Sequence, residues 1–511
     1  MKRFFAKAGR FFWSWGFLKF VLWTVTLIVL LYVEEDWRGA RAWAVTKAEW
    51  EAKGISFDPQ TYFPPPVPDD QNLAAIPLFK LEPPDPKQPA VLEPLALQKA
   101  MRSNEAEANL PSTGDWQRGE LPDMAKIQTE VAQIYAETFK NRPLPADTLV
   151  QFDALYPFLA ELRAAAATRP LCRFNEDYAI YPPSDRPLEL LTAQIRLSQI
   201  LRFHAILAVN QHQPDLALED IKINYKLLSG EGRAPTFVGS LIAIGMNAIC
   251  SSAIYDGLAM HTWNDAQLAE IDRMLESINF LADYQFAMRS EVAESIVDID
   301  YFKKERPDIS GWLVAIDNDP AAQHSVALQL SVRLARVFPG GWWDQNKCQR
   351  EDLFLNSLPS VDPKTQRVFP GQVNELERQI QRLANRKDAY APWNFLFTLS
   401  ADWVKREPIT FAEAQVWVDE ARIACALERY RLAHGVYPDS LDALAPAYID
   451  ALPHDIMNGQ PYHYQLRTEG TYLLYSVGWN QIDDGGKIVY QQYNPKAVNY
   501  KEGDWVWPTA R

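Results

Sequence analysis

Residues 413–434 read EAQVWVDEARIACALERYRLAH. Ile423, Leu427 and Tyr430 recur at the i, i+4, i+7 spacing of one helix face. Gly435 follows as a natural C-terminal cap, and Pro438 blocks continuation. Asp439 can cap a short helix over SLDALAP (440–446). Asn458-Gly459 is a strong turn pair. PYHYQL (461–466) and TYLLYSV (471–477) read as two antiparallel strands joined by a short loop ending in Gly470. A helix with a clean stop, a hairpin and a polar turn make a small α+β module with a short antiparallel sheet, assigned to residues 405–511.

Upstream, residues 121–404 read as an irregular α-helical array, so the fold class is mainly α. Leu190, Leu197, Leu201 and Ala208 lie on one helix face, and His204 shares it as a satisfied core residue rather than a ligand. The next stretch, 212–228, starts with Pro214 in a first helical turn and loosely resembles one helix of a tetratricopeptide-type pair, without a 34-residue period. Asn264 and Gln267 form a capping arrangement. Glu291, Glu294 and Asp298 share one face of a helix. Carboxylates so spaced could bind a divalent metal; a solvated face or an arginine partner is the plainer reading. GGWWD (340–344) reads as a loop whose two tryptophans either stack on a sugar or partner, or staple the loop down.

The N-terminal end is different in kind. FFWSWGFLKFVLWTVTLIVLLYV (11–33) carries one charge, Lys19, and is long enough to span a bilayer core of roughly 30 Å. Residues 1–33 hold Lys2, Arg3, Lys7, Arg10 and Lys19 and no acid, while Glu34, Glu35 and Asp36 follow. That asymmetry orients an uncleaved anchor with its N-terminus in the cytoplasm of a bacterial inner membrane, in a single pass, and the bulk in the periplasm. Cleavage after Ala42-Trp43-Ala44 is the rival, but that match lies far beyond the apolar run. The remainder of the chain has 46 basic and 65 acidic residues, which argues against nucleic acid as a partner. TFVGSLIAIGMNAICSSAIY (236–255) is also uncharged; a helix buried on all sides explains it, and a second span is the alternative. Cys172, Cys250, Cys348 and Cys425 form no CxxC, and Cys250 and Cys425 read as buried thiols. Residues 34–120 join anchor and body as a helical stalk to Lys53 and a Pro-rich extended segment over 55–95 that lies on the body.

The phrases ALERYRLAHGVYPDSLDAL, NGQPYHYQL and YLLYSVGWNQIDDGG, in that order, resemble the C-terminal half of type II secretion major pseudopilins. Tyr430, Gly435, Tyr437, Pro438, Gly459, Pro461, Tyr464, Tyr475, Ser476, Gly478 and Gly485-Gly486 carry the match, over roughly 80 of 511 residues. The pilin-type leader is missing: Val21 stands where its Glu would be after Gly16-Phe17. RGARAWAVTKAEWEAKGISFD (38–58) likewise resembles an N-terminal arrangement of large membrane-anchored bacterial proteins. The pseudopilin resemblance implies a calcium loop, here formed by Ser476, Asn480, Asp483 and Asp484, with Asn480 where the family usually has Asp. The competing reading is an Asp/Asn/Gly-rich turn whose side chains cap its own backbone.

No P-loop, G-x-G-x-x-G, HExxH or G-x-S-x-G motif is present. The expectation is a non-catalytic, membrane-anchored envelope protein acting in protein–protein interaction or secretion-related assembly, with envelope proteins as partners. The alternative is an envelope hydrolase or glycan-binding protein in which Trp342 and Trp343 line a cleft beside carboxylates.

Overall fold

The structure is a computed structural model. It describes residues 15–80, 96–102, 110, 114–174, 180–186, 189–231, 236–307, 309, 333–384, 391–468 and 470–509. Lys2, Arg3, Lys7 and Arg10, and the Pro-rich stretch beyond 80, lie outside these residues.

Helix α1 (Trp15–Ala52) runs 38 residues without interruption, so the apolar segment and the stalk are one element. Its first half is bare: Phe20, Leu22, Trp23, Leu27 and Leu30 are all exposed. Its second half is fastened along α11 (Gly340–Ser357). At Gly39 and Gly341 the two backbones touch. A Cβ on Gly39 would overlap the Gly341 carbonyl, and one on Gly341 would overlap the Glu35 carbonyl. Asp36 Oδ1 accepts the Gly341 N–H at 2.9 Å, satisfying a free donor of the first turn of α11. Glu35 Oε2 accepts from Trp342 Nε1 at 3.0 Å and Gln345 Nε2 at 3.2 Å, and Tyr32 donates to the Val337 carbonyl. One turn from the far end, Trp50 Nε1 donates to Asp352 Oδ1 at 2.7 Å.

GGWWD is therefore not a loop. It opens α11, and Gly341 is there because the α1 backbone comes too close for a side chain. Trp343 is 1% exposed and packs on Phe338, Phe302 and Phe395, while Trp342 is half-buried against Phe338 and Trp393.

The body is helical. Helices α2 (Ala96–Arg102), α3 (Met124–Thr138), α4 (Thr148–Leu155) and α5 (Phe158–Thr168) precede an antiparallel pair, α6 (Glu189–Asn210) and α7 (Pro214–Glu231). Helix α8 (Phe237–Ala259) packs on both of these. Two-thirds of its most apolar window (67%) is buried inside the protein, as expected of a core helix. Helices α9 (Asp265–Glu276), with its Asn264–Gln267 capping box, and α10 (Phe280–Glu305) follow. After α11 come a two-stranded ribbon, β1 (Val361–Asp362) and β2 (Arg367–Val368), and α12 (Pro370–Ala384). The Pro-rich segment lies on this body as far as it is described. Asn72 exchanges hydrogen bonds with the Arg173 backbone, and Leu73, Ile76, Leu78 and Phe79 are buried. All four cysteines are free and buried.

Helix α13 (Phe395–His434) is 40 residues long with Pro408 inside it. The boundary drawn at 404/405 falls within this helix, so body and module share one rod. Phe411, Val416, Ile423 and Leu427 along it are buried in the same core as Leu197 of α6 and Trp507 near the C-terminus. Gly435 ends it in the left-handed conformation (φ 81°). Glu428, three residues before Arg431 and nine before Tyr437, accepts from both and ties the helix end to the chain that leaves it. The sheet is antiparallel with order β3 (His463–Leu466), β4 (Tyr472–Ser476), β7 (Trp505–Trp507); Leu474 pairs with Tyr464 on one side and Trp507 on the other. Strands β5 (Ile488–Gln491) and β6 (Asn494–Gly503) form a separate ribbon. The third strand and this ribbon were not anticipated.

Gly341→Ala should cost at least about 2 kcal/mol, because the clash is with backbone that cannot rotate away. Gly371→Ala, where a Cβ meets nothing within 4 Å, should change stability by under about 1 kcal/mol. Chemical denaturation of the two variants in detergent tests the difference; equal effects would mean that the α1–α11 contact is slack.

Candidate functional site

The face predicted on α10 does meet arginine partners, and it is buried rather than solvated. Arg350 of α11 pairs with Glu291 Oε1 through Nη2 at 2.8 Å. Its Nη1 donates to Glu351 Oε2 at 3.0 Å and to Ser295 Oγ at 2.6 Å, and Ser295 donates onward to Glu351 Oε1 at 2.8 Å. Arg186, from the segment before α6, pairs with Glu294 Oε1 at 2.5 Å. The Ser184 N–H reaches Asp298 Oδ1 at 3.1 Å. Spacing on one helix aligned the three acids, and tertiary packing delivered the guanidiniums.

Ser184, Arg186, Glu291, Glu294, Asp298 and Arg350 wall one side of a cavity of about 230 Å³. The other side is apolar: Phe237 opens α8, and Leu396, Leu399 and Trp403 come from the start of α13. Trp403 stacks on Phe237 at 6.0 Å between ring centroids. Burial pushes the Glu294 carboxyl up to about 7 despite Arg186, and that of Asp298 up to about 6 despite the Ser184 hydrogen bonds. Burial also raises Glu351, with Arg350 opposing it. The lining residues include no His, Cys or Lys, and the one carboxylate that Ser295 meets, Glu351, is held by Arg350.

The residues proposed for calcium are placed differently. Ser476 is fully buried, donates to Asp455 Oδ1 at 2.9 Å and accepts the Gly478 N–H. Asn480 donates to Asp484 Oδ2 at 3.2 Å and accepts the Ile482 N–H. Asp483 Oδ1 accepts from the Tyr475 hydroxyl at 2.9 Å and from the Gly485 N–H at 3.0 Å, and His463 stands 3.5 Å from its Oδ2. Only Asn480 and Asp484 are brought together. Asp504, missed in the sequence, gathers the N–H groups of Asp484, Gly486 and Lys487. Its distance along the chain leaves no local signal. Asp455 was missed for the same reason. In this arrangement the oxygens of Asn480 and Asp483 accept N–H and O–H groups of the loop and of β4. The loop is built as a self-capped turn.

His204 sits in the core as read, with Nδ1 at 2.5 Å from Asp220 Oδ2 and Arg163 bridging both. Of the two tryptophans expected to line a cleft, Trp343 is buried and Trp342 is half-buried against Phe338 and Trp393, with its indole N–H on Glu35. The tryptophan that lines the cavity beside Glu294 and Asp298 is Trp403. No family model matches the chain, and no curated protein or solved structure matches it either.

The raised carboxyls set a direction for stability. Folded Glu294 and Asp298 keep protons that the unfolded chain releases near pH 4. Their contribution is complete below that pH and is lost as pH rises through about 6 and 7. The protein should therefore melt at a lower temperature at pH 8 than at pH 5.5, and Glu294→Gln should flatten that slope; a slope of opposite sign contradicts the assignment. Calcium titrated into the full-length protein should leave the melting temperature unchanged, whereas a saturable rise would mean that the loop rearranges around an ion.

Proposed function

We propose that this is a non-catalytic envelope protein of bacteria. A single pass through residues 11–33 holds it in the inner membrane, with its N-terminus in the cytoplasm and its acidic bulk in the periplasm. It works by binding other envelope proteins, in a secretion-related assembly. The observation that carries this reading is the division of α1: one helix, apolar and bare over its first half, fixed to the body over its second.

A bare run of that length needs a solvent of its own kind, and a bilayer supplies it. Basic residues before it and Glu34–Asp36 after it set the direction. Cleavage near Ala44 would cut α1 in mid-helix and remove Glu35, Asp36 and Gly39, the residues that clamp α11. The body is thus carried on a rigid neck close to the membrane surface, a geometry suited to presenting a fixed face to partners. The pseudopilin-like order of helix, hairpin and Gly-rich turn at the C-terminus supports a role in secretion. The hydrolase or glycan-binding alternative draws less support, since Trp343 is buried.

Cell fractionation with intact-mass measurement tests the placement. The expected result is full-length protein in the membrane fraction, resistant to alkaline extraction, with the body accessible to protease only after the outer membrane is opened. A soluble form trimmed near Ala44 would overturn it. Cross-linking in intact membranes should return envelope proteins, and a body that cross-links to none counts against an assembly role.

A further inference from the structure

The cavity between α8, α10, α11 and α13 has a charge imbalance that the protein does not resolve. Three carboxyls, Glu291, Glu294 and Asp298, line it with two guanidiniums, Arg186 and Arg350, and a fourth carboxyl, Glu351, is buried behind Arg350. Arg350 is engaged by Glu291 and Glu351, and Arg186 gives Nη1 to Glu294. Glu294 gives one oxygen to Arg186, and among the described residues the other has no hydrogen-bond partner. A second group points the same way from the opposite wall. Ser400 of α13 is 8% exposed and lines the cavity, and its hydroxyl makes no hydrogen bond among the described residues. An unused acceptor and an unused hydroxyl face the same buried space.

We propose that this cavity is a binding site for a small organic cation, a protonated amine carried on a short apolar body. The ammonium would lie between the free oxygen of Glu294, Asp298 and the Ser400 hydroxyl, offering the three donors those acceptors lack. The apolar body would lie against Phe237, Leu396, Leu399 and Trp403. An indole is also a surface that cations favour. A bare metal ion is a poor fit, because calcium or magnesium asks for six or more oxygens and this half of the wall offers hydrocarbon. The cavity, at about 230 Å³, exceeds the roughly 150 Å³ that accommodates benzene, so a molecule the size of phenethylamine fits.

The inference does not depend on where the protein resides. Calorimetry on the full-length protein in detergent tests it, with phenethylamine, butylamine and butane-1,4-diamine as amines. Phenylethanol and phenylpropionate serve as the neutral and anionic isosteres. At least one amine should bind saturably, at least tenfold more tightly than the alcohol, and the acid should not bind. Affinity should rise between pH 6 and pH 8 as Glu294 and Asp298 release protons beside Glu291, Glu351 and the two arginines. The measured heat should change with buffer ionisation, since binding expels protons. Ser400→Phe, which fills the cavity, should abolish binding, and Glu294→Gln should weaken it at least tenfold. If either variant fails to fold, the comparison of amine with alcohol on the wild-type protein still decides. Failure of every amine to bind, equal binding of amine and alcohol, or binding unaffected by Ser400→Phe in a folded variant would overturn the proposal.

Discussion

The contact on which the rest of the structure depends is the backbone-to-backbone approach of α1 and α11 at Gly39 and Gly341. Two glycines let the helices touch, and the acidic residues just past the apolar run then supply what the start of α11 lacks. Asp36 takes the Gly341 N–H, and Glu35 takes the Trp342 indole and the Gln345 amide. The same Glu35 and Asp36 follow the apolar run where a membrane-spanning helix would leave the bilayer. One short acidic step thus has two uses, as a polar flank and as the cap of a core helix.

From α11 the constraint passes inward. Its Arg350 and Glu351 face α10, where Glu291 and Ser295 meet them, and its Trp343 closes an aromatic cluster with Phe302, Phe338 and Phe395. Phe395 begins α13, which continues for 40 residues to the C-terminal module. The neck, the charged cavity and the module are therefore joined through two helices rather than strung on loops. Burial of several carboxyls with too few cations is the energetic consequence, and their elevated proton affinity reflects it.

Legibility of the sequence followed the range of the interactions. The end of α13 could be read because its apolar period, Gly435 and Pro438 are local. So could the β3–β4 hairpin and the Asn264–Gln267 box. The buried character of 236–255 was legible from its small residues and its amides and hydroxyls. GGWWD was misread because a glycine pair looks like a loop when the helix that demands it lies some 300 residues away. Strand β7 is three residues long and is defined only by pairing with β4, so no periodicity announces it. For the site, the i, i+3, i+7 acids were visible, but Arg350 stands 59 residues from Glu291 and Arg186 stands 108 from Glu294. Spacing on a helix can align like charges; it cannot say what the fold will bring to them.

The central claim is that the neck is part of the folded body. Hydrogen exchange of the full-length protein, read by mass spectrometry in lipid nanodiscs, tests it most directly on the amides of residues 36–50. The account predicts that they exchange as slowly as the core of α11, because opening them requires breaking the α1–α11 contact. Exchange there on the timescale of a solvated single helix, with α11 still protected, would contradict it: α1 would be a free stalk and the body merely tethered.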